Sequence, residues 1–202
     1  AHLKGLIERI SARRGGVRVL DIGGTRHYWN ILPPGFLAAH KVHVTVLNLP
    51  GQMRDRDDEV FSFVDGDGCA LDYPDGSFDL AHSNSVIEHV GRWRDMRAFA
   101  ENTRRVADSY YLQTPYFWFP IEMHFLMPFY HWLPDPVRAG INMRFAMASV
   151  RRPDVSQAMQ EAVDDLRLLD LKMLRALLPD ATVHWEHFAL LRKSMIAIRE
   201  RP

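Results

Sequence analysis

The sequence is poor in cysteine, in net charge and in long apolar runs. Cys69 is its one cysteine, so no disulfide forms within the chain. A reducing compartment fits that usage, and a cytoplasmic location is expected. The 25 basic and 25 acidic residues cancel, which argues against a whole-domain electrostatic grip on nucleic acid. No stretch reaches the roughly 18 apolar residues of a membrane span, and the start shows no signal-peptide pattern. The first residue is Ala1, not Met, so upstream residues are expected in the natural chain.

What is present suffices for one core. The chain has 202 residues, of which 47% are hydrophobic. That is long for a small domain and short for two. Leu3, Leu6, Ile7 and Ile10 form one stripe and predict an amphipathic helix over residues 2–13. Val17–Asp21 predicts a first strand. Pro33 and Pro34 predict a helix opening there and running to about His40. "VHVTVLNL", ending at Leu49, alternates and reads as strand two. Residues 60–64 and 77–83 read as strands three and four, with "YPDG" as the turn between them. Trp93, Met96, Ala100, Thr103 and Ala107 predict a helix over about 91–107, opened by Glu88 and His89. Strand five is expected at 109–114.

The pattern then changes. Nine of the 22 aromatics lie between Pro115 and Phe145, and six of the 12 prolines lie between Pro115 and Pro153. Val155, Met159, Ala162, Val163 and Leu166 predict a helix, and Asp170 predicts the N-cap of another. Residues 181–188 and 194–200 are the last two strands. Only Ala189–Lys193 separate them, too few for a crossover helix, so they form an antiparallel hairpin. The expected fold is α/β: a Rossmann-like, seven-stranded, mostly parallel sheet with a C-terminal antiparallel hairpin and helices on both faces. An aromatic-rich insert follows strand five.

In such sheets ligands bind beyond the carboxyl ends of the strands, where strand order reverses. Polar residues gather at those ends: Asp21, Asn48, Asp65 and Asp67, Ser83 to Ser85, and Thr114. Gly23 and Gly24 allow backbone to approach a ligand closely. A dinucleotide site wants a third glycine, which "GGTRHY" lacks, and no Gly-Lys-Ser/Thr follows for a P-loop. An acid just before the glycines repels phosphate and suits a ligand with an amine or positive centre.

These residues carry a family resemblance. "VLDIGG" and "GDGCALDYPDGSFDLAHSNSVIEHV" (66–90) resemble a class I S-adenosylmethionine-dependent methyltransferase, close to the type 11 small-molecule group. "FPIEMHF" (119–125) and "LLRKSMIAIR" (190–199) are similar to a bacterial subgroup found near cell-surface sugar genes. The resemblance spans Val17 to the final hairpin and implies one domain over 1–202 with S-adenosylmethionine as cofactor. It implies that Asp21, Gly23 and Gly24 border the methionine moiety. Asp67 accepts from the adenine amine beside the Gly68 backbone, and Ser83 and Asn84 line the floor under the methyl donor. Asn48, with Leu49 after it, takes the ribose end, where the family usually has an acid. An Asp at position 48 is therefore expected to hold the ribose more strongly than the amide.

The insert over 115–153 is expected to cover the acceptor. Glu122 and His124 stand two apart, so in an extended segment both face one side. His124 is expected to take the acceptor proton while Glu122 orients it, with His89 and His131 next in line. No metal is expected. Cys69 reads as a small buried residue and not a nucleophile. The expected activity is methylation of a hydroxyl on a small molecule or glycan. The alternatives are an aromatic or lipid-like acceptor and, from another class, a catalytically silent cofactor-binding module. A surface association through 115–145, with a membrane or a second copy, stays open, as does the oligomeric state.

Overall fold

The computed structural model describes residues 2–52, 55–122, 127–145 and 167–201. Helix α1 (His2–Arg14) buries the stripe of Leu3, Leu6, Ile7 and Ile10. The chain then enters strand β1 (Val17–Ile22), helix α2 (Phe36–Ala39) and strands β2 (Val42–Asn48), β3 (Phe61–Asp65) and β4 (Phe78–Asn84). Helix α3 (Trp93–Val106) leads into strand β5 (Ala107–Pro115). Part of the insert forms the small β6 (Ile121–Glu122) and β7 (Met127–Pro128) pair and helix α4 (Asp135–Phe145). Helix α5 (Leu171–Leu177) and the hairpin of β8 (Thr182–Phe188) and β9 (Leu191–Arg199) end the described chain.

The main sheet has seven strands in the order β3-β2-β1-β4-β5-β9-β8. Strands β1 to β5 are parallel, and β9 runs antiparallel to both β5 and β8. Strand order reverses between β1 and β4. Alternate residues feed two cores. One face packs Leu20, Ile22, Ala81 and Leu112 with Met96 and Phe99 of α3 and Leu174 of α5. The other packs Val17, Val19, Leu80 and Tyr111 under α1. Burying both faces is what near-continuous apolar strands such as Val19–Ile22 require.

Several expected boundaries move, each for a local reason. Gly35 has φ +75° directly before α2, so the helix cannot run from Pro34. A 3-10 turn, Arg26–Ile31, capped by Thr25, precedes it instead. Glu88 and His89 do not open α3. They sit in a separate 3-10 turn, Ile87–His89, and α3 starts at Trp93 after Gly91 at φ +111°. Its buried face carries Phe99 and Val106 alongside Met96, Ala100 and Thr103, while Trp93 is exposed. The final hairpin is tighter than Ala189–Lys193: Phe188 pairs with Leu191, and Ala189 turns at φ +53°. Asp170 caps α5 as expected, accepting from Met173 N–H at 2.8 Å. The helix expected from Val155 to Leu166 lies outside the described residues.

Candidate active site

Beyond the carboxyl ends of β1 to β4 opens a cleft of about 500 Å³. Of the residues expected to hold a cofactor, it brings together Gly23, Asn48, Leu49, Asp67 and Gly68. Gly23 has φ +74°, and a β-carbon there would lie 2.6 Å from Val86 on the opposite wall. Its N–H donates to Leu47 O at 2.8 Å, tying the β1 turn to β2. Gly68 is pressed against Phe99: a β-carbon would sit 2.7 Å from that ring. Glycine at both positions is what lets the walls come together.

Asn48 lines the cleft while its amide Nδ2 donates to Gly24 O at 3.0 Å. Asp67 is exposed at the rim, and one carboxylate oxygen accepts from Cys69 N–H at 2.8 Å. Cys69, expected to be buried, is half-buried. Burial first, and then Asp67, push the Cys69 thiol up to about 12. A thiol so held is not a nucleophile at neutral pH.

Asp21, Gly24, Ser83 and Asn84 do not line this cleft. Asp21 is fully buried, and both its oxygens are engaged: Trp29 Nε1 donates to Oδ2 at 2.8 Å, and His82 Nδ1 lies 2.6 Å from Oδ1. Gly24 passes directly over this carboxylate, where a β-carbon would stand 1.8 Å from Oδ2. The acid thus sits beneath the glycine turn and fixes its seat. Ser83 is buried, its hydroxyl donating to Ile22 O at 3.2 Å. Around His82 stand the rings of Tyr28, Trp29 and Tyr111, at 4.7, 5.1 and 5.5 Å between centroids. Burial, with smaller contributions from neighbouring acids, drives both tyrosine hydroxyls upward, Tyr111 to about 12.

The structure adds wall residues that the sequence did not assign to the cofactor. Ser85 and Val86, just past β4, line the cleft with His89. Ser85 has φ +54°, and its hydroxyl donates to Gln113 Oε1 at 2.9 Å. The signal in the sequence was only the polar run from Ser83 to Ser85. Glu88 is buried and accepts from Thr114 Oγ1 at 3.0 Å, joining the β4 turn to the end of β5.

The insert closes against β5. Phe117 N–H donates to Leu169 O, and the Phe117 carbonyl accepts from Trp132 Nε1 at 2.9 Å with His131 Nε2 at 2.7 Å. Tyr130 and Asn142 are buried and bonded at 2.6 Å. Glu122 is extended in β6, opposite Met127. His124 lies outside the described residues. Among the described residues no three His, Cys, Asp or Glu side chains group to hold a metal ion, and no helix is long and apolar enough to cross a membrane.

Residues 32–109 match the family described as methyltransferase domain. No curated protein matches the sequence. Among solved structures, a SAM-dependent methyltransferase from Methanosarcina mazei superposes with a TM-score of 0.52 at 16% identity, covering 91% of each chain. A Rhodobacter sphaeroides protein described as a Zn-dependent alcohol dehydrogenase gives 0.54 at 13%, covering 93% of this chain and 85% of its own. PigF with SAH gives 0.50 at 13%, covering 96% of this chain and 61% of its own. At these identities the structures establish a shared fold.

Proposed function

We propose that this protein is a class I S-adenosylmethionine-dependent methyltransferase that delivers its methyl group to a hydroxyl of a small molecule or glycan. The observation that carries the reading is the cleft. Its floor and walls join the glycine turn after β1, the end of β2 and the Asp67–Gly68 turn after β3, at the sheet's reversal point.

The residues present fit that cofactor. Gly23 and Gly68 give the close approach, and Asp67 offers a carboxylate oxygen at the rim to the adenine amine. Asn48 Oδ1, with Leu49 beside it, meets the ribose hydroxyls. Asp21 works through Gly24, holding the turn that borders the methionine end, and Ser83 and Asn84 support the floor. When bound, the cofactor supplies a methyl group already activated on a sulfonium. The protein's share is to align the acceptor oxygen in line with it and to exclude water. A hydroxyl acceptor also needs its proton removed. His124, oriented by Glu122, is the proposed base, with His89 at the cleft wall as the alternative.

A second acceptor class has a specific observation behind it. Trp118, Phe129 and Trp132 are exposed on the insert, which suits an aromatic or lipid-like acceptor or an association of this face with a surface.

The test is methyl transfer from labelled cofactor to separated metabolite, glycan and lipid fractions. Label on a hydroxyl of a small molecule or glycan supports the proposal. Label confined to lipid or arene acceptors supports the second reading. Cofactor binding without transfer to any fraction would mean a silent module.

A further inference from the structure

A second cavity, of about 280 Å³, lies between the insert and the segment leading into α5. Phe117, Leu168 and Met173 give it apolar walls, Arg138 and Arg167 bring two guanidinium groups to the lining, and His131 completes it. Among the described residues the one acid in the lining is Asp135, which is half exposed and paired with one end of the Arg138 guanidinium. The Arg138 side chain is 12% exposed. Its Nε–H is buried and has no acceptor among the described residues. Arg167 makes no side-chain hydrogen bond or ion pair among them; only its backbone N–H is used, donating to Glu88 O at 2.8 Å. Glu88 belongs to the turn whose next residue, His89, lines the cofactor cleft. One backbone hydrogen bond therefore joins the two cavities.

Two guanidinium groups against one exposed carboxylate leave a surplus of positive charge among the described lining residues. A buried guanidinium N–H without an acceptor is costly. The planar fork of arginine matches the oxygens of a phosphate or carboxylate. We propose that this cavity binds the anionic end of the methyl acceptor, a phosphate or carboxylate carried on an apolar body. The inference rests on the methyltransferase reading above and narrows its acceptor. The oxyanion holds to Arg138 Nε and Arg167, the apolar body lies against Phe117 and Met173, and the acceptor's reactive end extends toward His89.

The test is calorimetric titration of the full chain with phenyl phosphate and with benzoate, in the presence of saturating S-adenosylhomocysteine. The wild-type protein should bind at least one of them. Arg167→Gln, an exposed change, should weaken that binding about tenfold or more, as expected for a lost charge-assisted pair. Arg138→Gln should do the same. Affinity for S-adenosylhomocysteine should stay within about twofold of wild type, since neither side chain lines the cofactor cleft. Flotation with phosphatidic acid vesicles separates the two sources of such an anion. Vesicle binding that Arg167→Gln abolishes, without phenyl phosphate binding, assigns the site to a lipid headgroup. No binding of phenyl phosphate, benzoate or vesicles, or binding unchanged in Arg167→Gln, overturns the inference while leaving the cofactor reading intact. Failure of wild-type protein to bind S-adenosylhomocysteine would instead strike the function itself.

Discussion

His82 Nδ1 lies 2.6 Å from Asp21 Oδ1, with neither side chain reaching solvent. The two residues are 61 positions apart and come together because β1 and β4 are parallel neighbours, in a register that pairs them directly. With Trp29 on the other oxygen, Asp21 ties β1, β4 and the 3-10 turn into one unit under Gly24. Asp21→Ala should leave two buried donors without an acceptor and lower the unfolding free energy by about 2–5 kcal/mol. Urea unfolding measures it. A loss below about 1 kcal/mol would contradict the pairing.

Gly23 and Gly35 both have positive φ, near +75°, but differ in surroundings. A β-carbon on Gly23 meets Val86 across the cleft, while one on Gly35 meets nothing within 4 Å. Gly35→Ala should cost about 1 kcal/mol of stability from left-handed strain and leave cofactor affinity unchanged. Gly23→Val should abolish cofactor binding. Equal affinities for the two variants would show that the β1 turn does not meet the cofactor.

From the sequence alone, Asn48→Asp is expected to tighten cofactor binding. The bond from Asn48 Nδ2 to Gly24 O reverses that expectation. A carboxylate cannot donate, and it would stand against the carbonyl it replaced a bond to. Affinity should fall about three- to tenfold, the worth of one hydrogen bond. Tighter binding would mean that the turn holds without this bond and that residue 48 serves the ribose alone.

Much of the fold was legible because period-2 and helical apolar spacing survive in this sequence. The Leu3–Ile10 stripe is the buried face of α1, and the missing crossover before Ser194 forces the hairpin. The glycine turn and the "GDG" turn were legible for the same local reason, since each encodes its own backbone shape. The partner of Asp21 was not legible. His82 reads as one more residue in an alternating strand, and only the β1–β4 register reveals what it meets. Glu88 was equally opaque: its contact with Thr114 depends on how the β4 turn falls over β5. The acceptor side draws on a stretch whose prolines and aromatics carry no single period.

Acid stability has a defined source at the far edge of the sheet. Burial alone would raise the Asp180 carboxyl, but hydrogen bonds from Arg199, Tyr110 and Arg104 outweigh it and hold the carboxyl well below its ordinary value. A depressed folded-state value stabilises the fold above the unfolded value, 3.8. That contribution is lost as pH falls through the folded value. Asp180→Asn should therefore be less stable than wild type at pH 6, with the difference shrinking as the pH drops below about 4. Thermal unfolding at pH 6, 4 and 3 measures it. A difference independent of pH would contradict the charge-based account.

The central claim is that the cleft beyond β1 to β4 holds S-adenosylmethionine. Calorimetric titration of the folded chain with S-adenosylmethionine, and then with S-adenosylhomocysteine, tests it most directly. One site per chain is predicted for each, with comparable affinity. Asp67→Ala should weaken both by about 1–3 kcal/mol, and NADH should give no heat under the same conditions. A folded sample that shows no heat with either ligand at millimolar concentration would contradict the account.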